Sequence, residues 1–449
     1  MKKHFVIIGG DAAGMSAASK ARRENLDLLI DVFEKSQWAS YGACGMPYFI
    51  KGDINRIEDL IARTPEEFKK NRINLHLEHE VTRINPREKY ITVRNPLKEI
   101  CVPYDNLLIS TGAHPGRPNI KGLDNEHVFT LHDMESAGKI KNYLKENTPK
   151  SAVIMGGGYI GIEMLEAFYS WGMEIHLVEL LPHILSPFGI DTAVKVEEYL
   201  SRFAVLHLGQ GVRGIDKIMG GKLSVELDYE NISTDMVLVA TGVVPEVALA
   251  KDAGIKIGIT GAITADEFGR TNFSSIYVAG DCAEVQNIVT GHPDYIPLAL
   301  SANRNGRCIG TTVAKKPTYL TGVTGTAVLK AFKLEIARTG ITDLAVARKY
   351  GFDPVSVKVE SHSRASYYPG SKPIQITLLA DRSSKRILGA SMVGEEGVSK
   401  RIDIISTALF GFFTANQLEN LDLSYAPPFG PAWDPVLIAA RILKNKLTE

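Results

Sequence analysis

One pattern occurs twice along the 449 residues and restricts the fold more than any other feature. It is a run of strand formers, a tight glycine turn, a small-residue helix, and a second strand that ends on glutamate. The first copy reads HFVIIGGDAAGMSAASKARRE, with Gly9 and Gly14 in the turn and Glu34 closing LLIDVFE. The second reads SAVIMGGGYIGIEMLEAFYSWGMEIHLVEL, with Gly156, Gly158 and Gly161 in the turn and Glu179 closing the strand. In such a βαβ unit a pyrophosphate rests on the helix N-terminus and the acid meets a ribose hydroxyl. Two copies therefore predict two dinucleotide sites on two parallel sheets. The first copy departs at one position, where Asp11 replaces the middle glycine. A carboxylate there repels pyrophosphate, so Asp11 is expected to cap the helix with its side chain turned aside. Glu179 accepts bonds from a 2′-hydroxyl and repels a 2′-phosphate, which favours NADH and leaves NADPH possible.

Two shorter segments repeat in step with the glycine turns. YDNLLISTGAHP and TDMVLVATGVVPE are apolar strands running into Thr111-Gly112 and Thr241-Gly242. A further strand, Ile276 to Ala279 in TNFSSIYVAGDCAE, delivers Gly280 and Asp281 to its carboxyl end, where ligands of open α/β sheets sit. The chain exceeds what one core usually holds. Its 51 Lys+Arg balance 51 Asp+Glu, so no field toward nucleic acid or anionic membrane is implied. The apolar start stops at Gly9 without a cleavage site, and no run approaches a membrane span, which predicts a cytoplasmic protein.

The four cysteines, Cys44, Cys101, Cys282 and Cys308, form no CxxC pair, so neither a metal site nor a disulfide framework is expected. Cys44 has a setting the others lack, SYGACGMPYFI. Gly42 and Gly45 let backbone pass close to a flat ring. Pro47 suits the first turn of a short helix whose positive end would lower the Cys44 pKa. The other three cysteines read as structural.

Together these segments resemble the flavin-dependent pyridine nucleotide-disulfide oxidoreductases over the full length of the chain. The resemblance implies two Rossmann-like nucleotide-binding domains plus a C-terminal α+β dimerisation domain. The expected ranges are 1–114 and 245–320 for FAD, 115–244 for NAD(P)H, and 321–449 for dimerisation. Gly9, Gly14, Glu34, Lys35, Thr111, Gly112, Asp281 and Ala299 are implied to hold FAD. Gly156, Gly158, Ile160, Gly161, Glu179 and Gly242 are implied to hold the nicotinamide cofactor, with Tyr159 gating its pocket. Larger members carry a second cysteine five residues on, where this chain has Phe49. What remains resembles the single-cysteine branch of coenzyme A-disulfide reductases, persulfide reductases, and NADH oxidases and peroxidases. Ala12 stands where the peroxidases carry histidine, which disfavours peroxide chemistry.

SRASYYPGS and LDLSYAPPFGPAWDP resemble the reductase side, in which tyrosines of a partner subunit reach the cysteine. Catalytic roles are thereby implied for Cys44, Tyr367 and Tyr425, and coenzyme A contacts for Arg22, Ser40 and Tyr368. The implied protein is a cytoplasmic homodimer. It passes electrons from NAD(P)H through FAD and Cys44 to a coenzyme A persulfide, a polysulfide or coenzyme A disulfide. The alternatives are an NADH oxidase reducing oxygen and an NADH-binding redox sensor.

Overall fold

The computed structural model describes residues 2–95 and 97–449. Two halves are built alike. In the first, strands His4–Ile8, Leu29–Phe33, Asn74–His76, Asn106–Ile109 and Ile276–Val278 form a parallel sheet in the order 276–278, 106–109, 4–8, 29–33, 74–76. In the second, Val128–Thr130, Ser151–Met155, Glu174–Glu179, Val205–Leu208 and Met236–Val239 form another, ordered 205–208, 174–179, 151–155, 236–239, 128–130. Every residue of Ser151–Met155 is buried, as expected of a strand covered on both faces. Each half adds an antiparallel three-stranded meander, Glu80–Asn85 to Glu99–Pro103 in the first and Val212–Lys217 to Asn231–Thr234 in the second.

The strand Ile276–Val278 returns the chain to the first sheet after the whole second half has been made. The two halves are joined by the predicted Thr-Gly connections, which pair as an antiparallel ribbon, Ala113–Pro115 with Val243–Pro245. Thr111 donates its hydroxyl to the Glu246 carbonyl (2.8 Å) and Thr241 donates to the Gly116 carbonyl (2.9 Å). Each threonine thus bonds the other connection. The helix Ala12–Glu24 lies against Ala299–Ala314, so close that a Cβ on Gly306 would stand 2.2 Å from the Ala13 carbonyl.

The C-terminal region is α+β. Its five-stranded antiparallel sheet runs in the order 327–331, 334–340, 387–394, 373–381, 354–362, with helices Val398–Phe410 and Pro435–Lys446 packed on it. Arg401 is wholly buried there, its guanidinium bidentate on Asp434 (3.1 and 3.0 Å from Nε) and donating to the Ser363 carbonyl (3.1 Å). Such a pair is stable only because each partner satisfies the other. No helix among the described residues is long and apolar enough to cross a membrane.

Candidate active site

The carboxyl ends of both parallel sheets open onto one continuous cleft of about 1510 Å³. Its two floors are the glycine turns. Gly9 sits at φ +101° and Gly156 at φ +108°, and a Cβ would come within 2.1 Å of the Ser110 carbonyl or 2.4 Å of the Ala240 carbonyl. Gly14 and Gly161 let each helix close onto its strand, since a Cβ would stand 2.0 Å from the carbonyls of Gly9 and Gly156. Gly158 differs, because a Cβ there would meet nothing within 4 Å. It faces the open cleft.

The strand-end glutamates are fixed identically. Glu34 accepts the backbone N–H of Gly10 (2.8 Å) and of Ser36 (2.8 Å). Glu179 accepts those of Gly157 (2.7 Å) and Leu181 (2.9 Å). Both carboxylates are thereby held beside their glycine turns, where an adenosine ribose lies. Lys35, Thr111, Gly112, Asp281 and Ala299 line the cleft on the first side, and Tyr159, Ile160 and Gly242 on the second. These donors and open glycines fit two dinucleotides.

Asp11 corrects its expectation. It occupies the N-cap position, yet its side chain caps nothing. Instead Oδ1 accepts the Tyr41 backbone N–H (3.2 Å), which draws the carboxylate toward the cleft. Burial, followed by the charges of Glu34 and Asp281, pushes its pKa up to about 6. Burial likewise pushes Asp281 up to about 6. The Asp281 carbonyl is anchored by the Tyr295 hydroxyl (3.0 Å).

Cys44 lies in the turn Ala43–Gly45 that leads into helix Met46–Lys51, with Pro47 in its first turn. It is exposed to the cleft, and no other cysteine lines that cleft. The expected lowering of its pKa is not found. Crowding by the cleft walls pushes the thiol up, and the charges of Glu163, Asp281 and Asp11 push the same way. A six-residue helix does not outweigh that burial and the three carboxyls together, since the dipole effect is confined to the first turn.

That helix belongs to the first half by sequence and to the second by packing. Met46, Phe49 and Ile50 share one apolar core with Ile154, Ile162 and Leu165 of the second half. Its final carbonyls accept from second-half side chains: Phe49 from the Lys141 ammonium and Ile50 from the Trp171 indole (3.0 Å). The turn bearing Cys44 is therefore fixed against the second half. Tyr159 stands over that side, its hydroxyl accepting from Arg338 Nε (3.2 Å) and its ring packed on Phe188 at 5.4 Å.

Other residues lie elsewhere. Arg22 is buried, and its guanidinium donates to the carbonyls of Asn71 (3.1 Å), Asn25 (3.3 Å), Leu26 (2.8 Å) and Arg72 (2.7 Å). It is a structural clamp and not a surface cation waiting for a phosphate, which corrects the expected coenzyme A contact. Ser40 adopts φ +53° and uses its backbone, N–H to the Gly10 carbonyl (2.9 Å), to hold the Cys44 segment on the first glycine turn. Tyr367 and Tyr425 are 72% and 51% exposed, with hydroxyls 3.2 Å apart, and neither lines the cleft of its own chain. Tyr368 is half-buried beneath Arg364. Cys282 is fully buried, whereas Cys101 is exposed in strand Glu99–Pro103, against its structural reading.

Sequence reasoning passed over Glu163. It is four residues after Tyr159 on the same helix, so helical periodicity places both on one face. Both line the cleft.

The profile of the pyridine nucleotide-disulphide oxidoreductases matches residues 3–306, and that of their dimerisation domain matches 326–436. The chain belongs to the pyridine nucleotide-disulphide oxidoreductases. Membership implies a flavin and NAD(P)H as cofactors and a dimerising C-terminal region. Over 449 residues, 99% of both chains, it is 38% identical to the CoA-dependent NAD(P)H sulfur oxidoreductase of Pyrococcus abyssi. It superposes on the NAD-dependent persulfide reductase of A. fulgidus with a TM-score of 0.95, at 37% identity, covering 99% of this chain and 83% of the other. It is also 35% identical, over 99% of both chains, to an NADH oxidase of Methanocaldococcus jannaschii.

Proposed function

We propose that this oxidoreductase reduces small persulfides, polysulfides or disulfides, foremost those of coenzyme A, with electrons from NADH by way of FAD and Cys44. The observation that carries the reading is one exposed thiol, with Phe49 where a second would stand, at the meeting point of two dinucleotide cradles. FAD and NADH bound in those cradles would supply the hydride and relay it as an electron pair.

The residues do the rest. Glu34 and Glu179 would orient the adenosine ends of the bound dinucleotides, Asp281 would hold the middle of the flavin nucleotide, and Tyr159 would cover the nicotinamide pocket. The preset Glu179 carboxylate disfavours a 2′-phosphate, so NADH is the preferred donor. The Cys44 thiolate attacks the sulfur–sulfur bond of the substrate, and the resulting adduct is then reduced back to the thiolate. Exposed Tyr367 and Tyr425, with their hydroxyls already paired, suit a homodimer in which they reach the thiol of the other subunit.

The experiment is NADH consumption by the holoenzyme with coenzyme A persulfide, coenzyme A disulfide and oxygen offered in parallel. Sulfur acceptors should outpace oxygen by at least about tenfold, a difference of roughly 1.4 kcal/mol in barrier. The similarity to the Methanocaldococcus jannaschii NADH oxidase favours oxygen as the second reading, and oxygen uptake equal to sulfur turnover would establish it. A purely NADH-binding sensor is disfavoured because it has no use for a thiol held open to the cleft.

A further inference from the structure

Among the described residues, the bulkiest side chain with no exposure at all is a charged one, Arg401 on helix Val398–Phe410. Replacing a buried ion pair by well-packed apolar residues is often neutral or stabilising, so stability alone does not account for the pair it forms with Asp434. Its three nitrogens instead tie three stretches of chain together. Nε and Nη2 hold Asp434 (3.0 and 2.9 Å), Nη1 donates to the Gly397 carbonyl (3.0 Å), and Nη2 also donates to the Ser363 carbonyl (3.1 Å). Gly397, at φ +77°, admits the fork, since a Cβ there would stand 2.5 Å from Nη1.

Two of those stretches are the bases of the loops that carry the exposed tyrosines. Ser363 is buried and opens the loop bearing Tyr367; its N–H donates to the Lys372 carbonyl (2.7 Å) and its hydroxyl accepts the Lys372 N–H (3.0 Å), which closes that loop at its foot. Asp434 ends the segment that follows Tyr425 and caps helix Pro435–Lys446 by accepting the Val436 N–H (3.0 Å). Around this joint the loops are tied to each other and to the same helix. The Ala365 N–H donates to the Pro427 carbonyl (3.3 Å), and the Lys400 ammonium donates to the Phe429 carbonyl (2.6 Å). Glu396 accepts from Arg364 Nε (2.9 Å) and from the Ser363 hydroxyl (3.1 Å). Further along both loops the Tyr367 and Tyr425 hydroxyls stand 3.2 Å apart. Both rings are exposed and have no core to hold them, so their spacing is set from the feet of the loops.

We propose that Arg401 is a positioning residue for the sulfur half of the reaction: it sets the spacing of the Tyr367 and Tyr425 hydroxyls, the pair that one subunit presents to substrate at Cys44 of the other. This rests on the reading of both tyrosines as groups that reach the thiol across the dimer.

Arg401 does not line the cleft, so it has no direct part in flavin reduction. A lysine in its place keeps the charge opposite Asp434 and loses the planar fork that reaches Ser363 and Gly397 at the same time. The loop of Tyr367 is then free to shift against that of Tyr425 while the helix cap at Asp434 is kept.

The test separates the two half-reactions of the intact holoenzyme by anaerobic stopped-flow: flavin reduction by NADH, then reoxidation by coenzyme A persulfide. The variants are Arg401→Lys, Tyr367→Phe with Tyr425→Phe, and all three changes together, each checked for dimer mass by light scattering. Arg401→Lys should reoxidise about tenfold more slowly, because a misplacement of roughly 1 Å costs that much or more. Its flavin reduction should stay within about twofold of wild type, the scatter of independent sites. Added to the two phenylalanines, Arg401→Lys should cost at most about twofold further, since non-additivity marks residues that act through one another. Flavin reduction falling along with reoxidation, a full loss repeated in the phenylalanine background, or a loss that tracks dissociation of the dimer would each show general damage and overturn the proposal. If Arg401→Lys does not fold, Glu396→Gln loosens the same joint from its solvent side and should slow reoxidation a few-fold with flavin reduction retained; unchanged reoxidation there overturns the proposal. Wild-type reoxidation in the double phenylalanine variant would remove the tyrosine reading and the proposal with it. Slowing in that variant with none in Arg401→Lys or Glu396→Gln would leave the tyrosines standing and remove Arg401 alone.

Discussion

The first and second glycine turns share a backbone and differ at one side chain. In both, the leading glycine is held at positive φ under a neighbouring carbonyl, the last lets helix meet strand, and a strand-end glutamate accepts two backbone N–H groups. The middle position is Gly158 in one and Asp11 in the other. Gly158 leaves the cleft open; Asp11 puts a carboxyl into it, raised to about 6 by burial and tied to the Tyr41 N–H. The nicotinamide side therefore offers an unencumbered helix N-terminus to an anion. The flavin side shares that anion site with an acid which is easier to bury protonated. A fingerprint's fold and its electrostatics are separable: three positions fix the first, and the middle one sets the second.

The largest expected effects separate the halves. Gly161→Val puts a branched side chain where even a Cβ stands 2.0 Å from a carbonyl. It should leave the protein yellow yet slow flavin reduction by NADH at least a hundredfold, read by stopped-flow absorbance. Gly14→Val should instead yield protein without flavin. If either variant lost both cofactors together, the halves would not be independent.

Next in size is Glu179→Ala. With the ribose acceptor gone, KM for NADH should rise about tenfold and the preference over NADPH should shrink, since one hydrogen bond to a charged group is worth about 1.5–3 kcal/mol. An unchanged NADH to NADPH ratio would remove Glu179 from cofactor choice.

Smaller still is Asp11→Asn, which retains an acceptor for the Tyr41 N–H while deleting the charge. FAD affinity measured by fluorescence should tighten a few-fold at pH 8 and stay unchanged at pH 5, where Asp11 is already protonated. The same variant tests stability without flavin. A carboxyl at about 6 in the fold and about 3.9 unfolded binds more protons when folded, so stability is lost as pH rises between those values. Asp11→Asn should raise the thermal midpoint of the apoprotein at pH 7.5 by the equivalent of roughly 1–2 kcal/mol, and leave it alone at pH 4. Equal effects at both pH values would mean Asp11 is ionised throughout.

Both parallel sheets were legible because the spacing of a glycine turn is a local property, and the acids at the strand ends follow from it. Apolar patterning also runs through IQITLLA and RILGASMVG, which form the C-terminal strands Pro373–Asp381 and Ile387–Gly394 ahead of the helix Val398–Phe410. The surroundings of Cys44 were not. Its own flanks suggest a lowered pKa, whereas burial by the cleft walls, followed by the charges of Glu163 and Asp281 from far along the chain, raises it. Arg22 was misread for a related reason. A basic residue at a helix C-terminus looks solvent-facing until the loop at Asn71 and Arg72 folds over it and takes its donors. Nor does local sequence reveal that helix Met46–Lys51 packs into the core of the other half, which is what fixes Cys44 between the two cradles.

That placement is tested most directly by anaerobic stopped-flow on Cys44→Ser, reduced with NADH and then mixed with coenzyme A persulfide. The account predicts flavin reduction at the wild-type rate followed by reoxidation slowed at least a thousandfold. Reoxidation at the wild-type rate would show that electrons reach sulfur without Cys44.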